Sequence, residues 1–87
     1  MKNKLGGNSE AAHPWPLQLA RDLFRAGAVA KAEFVRSNEQ GLGYLQFYTS
    51  WGDHGLLVGR AKQTRMLTLL NAKTLIARNL PGVQLMT

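Results

Sequence analysis

The stretch Tyr44–Thr49 constrains the fold of this chain more than any other. Leu45 and Phe47 alternate with Tyr44, Gln46 and Tyr48, a period of two that puts the apolar pair on one face and the polar aromatics on the other. A helix would scatter these residues around its circumference, so the segment reads as a half-buried strand. The rest of the sequence must then supply a partner for its edges and a cover for its apolar face.

An edge partner lies just upstream. Lys31–Ser37 contains Phe34 and Val35 and is bounded by turn residues, which favours a strand. Ser37–Gly43 supplies the turn, and the two strands make an antiparallel hairpin. The cover comes from Leu17–Ala26, where Leu17, Ala20, Leu23 and Phe24 recur at helical spacing opposite Gln18, Arg21, Asp22 and Arg25. Pro16 suits the first turn of this helix, Trp15 docks just before it, and Gly27 caps its end.

Downstream, Ser50–Gly55 is a loop. The apolar run Leu56–Val58 continues through Gly59 to Lys62 as a third strand, and Thr64–Leu70 reads as a fourth, joined by a turn at Gln63–Thr64. Asn71 can cap a short helix, Ala72–Asn79, that buries Leu75 and Ile76, with Leu80 beside them. Pro81 and Gly82 stop it, and Val83–Met86 forms a closing strand. The expected fold is α+β: an N-terminal helix, a four-stranded antiparallel meander, a short C-terminal helix and a closing strand. Residues 1–13 read as a flexible tail and 14–87 as a single domain.

With 87 residues the chain can bury one modest core. Dimerisation is one way for so short a chain to bury more, so a homodimer or a protein partner is kept in view. Cysteine is absent, which removes disulfides, thiolate metal sites and cysteine nucleophiles. No apolar run follows Lys2 and Lys4 as a signal peptide or membrane span would require, so a cytoplasmic protein without membrane contact is expected. Nothing in the sequence asks for a cofactor or a metal.

The net charge of +6 is unevenly spread. Up to Asp53, Lys2, Lys4, Arg21, Arg25, Lys31 and Arg36 are nearly matched by Glu10, Asp22, Glu33, Glu39 and Asp53. From His54 to Thr87 the chain carries Arg60, Lys62, Arg65, Lys73 and Arg78 and no acid at all. Arg60, Lys62 and Arg65 cluster around the expected turn, where a positive hairpin tip could lie along a phosphate backbone and release its counterions. Lys73 and Arg78 would extend the patch. The plainer reading is a solvated hairpin end that keeps the sheet soluble; the acid-free run favours nucleic acid. Tyr44 and Tyr48 are candidate stacking contacts, or else pack across strands against long neighbours.

Other features point less far. Trp51 is either an exposed anchor or, more commonly, a plug over the end of the core. Asp53-His54 would have to carry any hydrolase-like chemistry, but no nucleophile constellation accompanies it and no enzyme is expected. Gly41-Leu42-Gly43 opens no helix and is not a phosphate-cradling loop.

Gln40–Phe47, QGLGYLQF, resembles the RNA-binding strand of the RNA recognition motif. The likeness is confined to Leu23–Phe47. Leu42 stands where a stacking aromatic belongs, Gln40 replaces the leading basic residue, no aromatic strand precedes the helix, and a Gly-rich loop follows Phe47. A glycine-bounded hairpin strand accounts for it better. Thr64–Thr87 is similar in style to the ending of small basic plasmid and mobile-element accessory proteins of the partition or maintenance type: a basic strand, a turn into a helix, a short strand. That resemblance implies DNA rather than RNA as the partner. The expected function is a small DNA-binding accessory protein, with a protein-interaction or oligomerisation adaptor as the alternative.

Overall fold

The computed structural model describes residues 13–87. Its elements in chain order are β1 (His13–Pro16), α1 (Leu17–Arg25), β2 (Val29–Arg36), β3 (Gly43–Thr49), β4 (His54–Val58), α2 (Leu69–Asn79) and β5 (Leu85–Met86). The tail assigned to residues 1–13 falls outside the described residues except for His13, which belongs to β1.

The hairpin is as the alternation requires. β2 and β3 pair antiparallel, with Phe34 opposite Leu45 and Ala32 opposite Phe47; β4 continues antiparallel beside β3. The four-stranded meander, however, gives way to a five-stranded mixed sheet in the order β1-β4-β3-β2-β5. β1 runs parallel to β4 and β5 parallel to β2, so every strand except β3 points the same way. α1 carries the chain from β1 across β4 and β3 to β2, and α2 carries it from β4 across β3 and β2 to β5.

Thr64–Leu70, expected as the fourth strand, is not one. The outer edge of β4 is taken by β1, and the segment pairs with the sheet only through single bridges, Thr64 to Val58 and Leu67 to Gly43. Thr68, not Asn71, is the cap of α2: its hydroxyl accepts the Asn71 backbone N–H at 3.1 Å, and the helix starts at Leu69. The third strand likewise stops at Val58 instead of reaching Lys62. The turn that follows is closed by Gly59 N–H to Gln63 O and Lys62 N–H to Gly59 O.

Both helices lie on one face. Ala20 of α1 and Ala72, Leu75 and Ile76 of α2 join Trp15, Ala32, Phe34, Leu45, Phe47, Leu57, Leu67 and Leu80 in one cluster. Phe47 is fully buried at its centre, with Trp15 stacked on it at 5.4 Å between ring centroids. Removing the Phe47 ring would cost about 3–5 kcal/mol. A Cβ at Gly55 would run into the Trp15 indole, so a side chain there is incompatible with the packing that holds β1 on β4. Among the described residues no helix is long and apolar enough to cross a membrane.

Candidate nucleic-acid interface

Thr68 caps α2 and brings Asn71 into it, and the helical period sets which residues share each flank. Asn71, Thr74, Leu75, Arg78 and Asn79 follow the i, i+3, i+4, i+7, i+8 spacing of one stripe. Together with Leu17, Arg65 and Leu67 they line a groove of about 290 Å³. Arg65 and Arg78, thirteen positions apart in sequence, thus meet around one recess, and among the described residues that line it there is no carboxylate. Arg65 is positioned through its backbone, whose N–H donates to Leu57 O at 3.0 Å, which leaves its side chain exposed. Arg78 sits in the last turn of α2, where the helix dipole favours a cation. That placement alone would explain an arginine at this position, but not the second one facing it.

Arg60 and Lys62 occupy the exposed tip of the turn that leads to Arg65. Lys62 has φ 58°, a left-handed backbone that costs a residue with a side chain about 1–2 kcal/mol. Lys73 projects from a different flank of α2 from Arg78, five residues on. The five basic residues thus all lie on the Gly59–Thr68 connection or on α2, but only Arg65 and Arg78 converge on one recess. Met66 and Leu70 are exposed among them.

The two tyrosines are elsewhere. Tyr44 and Tyr48 point to the face of the sheet opposite the helices, because Leu45 and Phe47 take the core side. Tyr48 is already engaged: its hydroxyl donates to Glu33 Oε1 at 2.8 Å, Lys31 Nζ lies 5.0 Å over its ring, and His54 is its tilted neighbour at 6.2 Å. The hydrogen bond to Glu33, followed by partial desolvation and the carboxylate's charge, raises the Tyr48 pKa above its ordinary value. Cross-strand packing is thus the role the structure gives Tyr48. Tyr44 stands opposite Val35, half-buried.

Trp51 is not a plug. It is 61% exposed at the β3–β4 turn, and its Nε1–H donates to Asp53 Oδ2 at 2.7 Å. The same turn is closed by Thr49, whose N–H and hydroxyl donate to Asp53 O and whose hydroxyl oxygen accepts from Asp53 N–H. The indole is held in the open because its polar edge is satisfied locally. Among the described residues no three His, Asp or Glu side chains gather as metal ligands. Comparison with protein-family models, with curated proteins and with solved structures finds no match to this chain.

Sequence reasoning found the charged surface from its missing acids but not the groove. The signal available for part of it was the Thr68-x-x-Asn71 start, which brings Asn71 onto the stripe of Thr74, Leu75 and Arg78; the placement of Arg65 and Leu17 beside that stripe is non-local.

Proposed function

We propose that this protein binds nucleic acid through the acid-free surface of the Gly59–Thr68 connection and α2. The observation that carries the reading is the convergence of Arg65 and Arg78 on one groove with no carboxylate in its lining. Guanidinium groups match phosphate oxygens with paired N–H donors. Arg60 and Lys62 add contacts at the turn, and Lys73 extends the positive field along α2. DNA is favoured over RNA by the resemblance of Thr64–Thr87 to the ending of mobile-element accessory proteins. The role is that of a DNA-binding accessory protein without catalysis of its own. Titration of labelled duplex and single-stranded oligonucleotides at low and moderate salt tests it: binding should weaken steeply with salt and fall in the combined variant Arg60→Ala, Lys62→Ala, Arg65→Ala. No binding even at low salt would overturn the class.

A second reading has its own support. The exposed Trp51 and the sheet face that neither helix covers favour docking on a protein, including a second copy of this chain. Trp51 is a large aromatic held in a fixed orientation, as interface anchors commonly are. Co-purification with a stoichiometric partner that Trp51→Ala abolishes would favour this reading, and a monomer in sedimentation at high concentration would remove the homodimer.

A further inference from the structure

Arg65, Arg78 and the turn residues Arg60 and Lys62 can meet the phosphates of a backbone, but phosphates alone do not account for the apolar lining of the groove. The groove beside α2 offers something different. Its polar side carries Arg65 and Arg78, while Leu17, Leu67 and Leu75 provide apolar lining. Leu67 and Leu75 belong to the core cluster and Leu17 packs against it, so this lining is fixed by the fold rather than formed by mobile surface chains. The volume of about 290 Å³ lies near the lower end of sites for small molecules, which run from about 300 Å³ upward. Inorganic phosphate would satisfy the guanidinium groups and leave the leucines facing water; an apolar ligand would do the reverse.

We infer that the groove accepts one phosphorylated nucleotide unit, its phosphate held by Arg65 and Arg78 and its sugar or base laid on Leu17, Leu67 and Leu75. Two guanidinium groups balance the charge of a phosphate monoester. Thr74, whose hydroxyl donates to Leu70 O at 3.1 Å, keeps its oxygen lone pairs available as an acceptor for a ribose or base donor. A base can enter such a recess only when it is unpaired, because in a duplex its faces are stacked and its edge is paired. The same chemistry can come from a free mononucleotide or from an unpaired residue of a strand. The inference rests on reading this surface as phosphate-binding, and it adds that the ligand is recognised beyond its phosphate.

The test is a calorimetric titration of the full chain with adenosine 5′-monophosphate, adenosine and inorganic phosphate, alongside a single-stranded and a duplex oligonucleotide. The monophosphate should bind at least about tenfold more tightly than either adenosine or phosphate alone, and Arg65→Gln or Arg78→Gln should each weaken it by about tenfold or more. Thr74→Phe, which fills the groove from an exposed helix position and keeps both arginines, should abolish monophosphate binding with the fold intact by circular dichroism. Single strand preferred to duplex points to an unpaired strand residue as the source; monophosphate binding without oligonucleotide binding points to a free nucleotide. In that last case the nucleic-acid reading fails and the groove assignment stands. Phosphate binding as tightly as the monophosphate, or Thr74→Phe leaving the monophosphate unaffected, would overturn the inference while leaving surface binding of nucleic acid intact.

Discussion

Around Tyr48 the outer face of the sheet brings together a cation, a carboxylate, a phenol and an imidazole, and they engage one another. Glu33 accepts the hydrogen bond of the Tyr48 hydroxyl, Lys31 covers the ring, and His54 flanks it. Around Arg65 and Arg78 the side chains that line the groove carry charge of one sign only. The first cluster gathers a cation and a carboxylate around one phenol, which donates a hydrogen bond to Glu33 and lies under Lys31, as a cross-strand arrangement that stabilises its own sheet does. The second holds like charges together, an arrangement that repels itself until an anion arrives. Both are polar and both lie on the surface; what separates them is the sign balance of their charges.

The comparison breaks most readily at the groove. Arg65→Gln combined with Arg78→Gln should lower oligonucleotide affinity by about 100-fold at low salt and reduce the slope of log affinity against log salt by about 2. Folding stability should stay within about 0.5 kcal/mol, since both side chains are exposed. A fluorescence titration series and a thermal melt read the two quantities separately.

Thr68→Ala strikes the element that carries the groove wall. Loss of the cap should cost about 1 kcal/mol and lower the melting temperature by about 4–8 °C. Tyr48→Phe provides the opposite control on the other cluster: stability should drop by about 0.5–1 kcal/mol through the lost Glu33 hydrogen bond, with oligonucleotide affinity unchanged. If Tyr48→Phe weakens binding as much as the arginine variants do, the two clusters are not functionally separate.

Tyrosinate absorbance against pH sharpens the structural side. Tyr48 should ionise above its ordinary range, and the late component should vanish in Tyr48→Phe. Because the folded pKa is raised, the unfolded chain releases this proton first. The stabilising contribution is therefore fully present below about pH 10 and is lost as pH rises through the folded value. The smallest effect belongs to Lys62→Gly. Relief of the left-handed backbone, set against the added freedom of the unfolded chain, should leave stability unchanged or raise it by up to about 1 kcal/mol, while affinity falls by severalfold at most.

The elements that sequence makes legible are those whose pattern is local. α1 and the β2–β3 hairpin follow from Leu17, Ala20, Leu23 and Phe24 and from the alternation at Leu45 and Phe47. β1 is hidden because Pro14 and Pro16 argue against a strand. An edge strand tolerates them, since half of its donors face no neighbour, and the missing donors blunt the edge against further pairing. The closing strand expected at Val83–Met86 exists as β5 but is shorter, Leu85–Met86, and its parallel pairing with β2 is non-local. The misreading of Thr64–Leu70 follows from that of β1: with His13–Pro16 holding the outer edge of β4, the segment does not extend the meander and keeps only its single antiparallel bridges to Val58 and Gly43, and Thr68 turns from a strand residue into a cap. The charge of the candidate surface was legible from the acid-free run after Asp53. Its division into a groove pair, a turn tip and a separate helix flank was not, because it depends on where α2 begins and how it lies on the sheet.

Amide chemical-shift mapping of the isotope-labelled chain, titrated with a short oligonucleotide at low salt, tests the central distinction most directly. Shifts should concentrate at Arg60, Lys62, Arg65, Leu67, Asn71, Thr74 and Arg78 and fade as salt is added, while Lys31, Glu33, Tyr48 and His54 stay in place. Shifts centred on Tyr44, Tyr48 and Glu33, with the groove residues unmoved, would contradict that distinction.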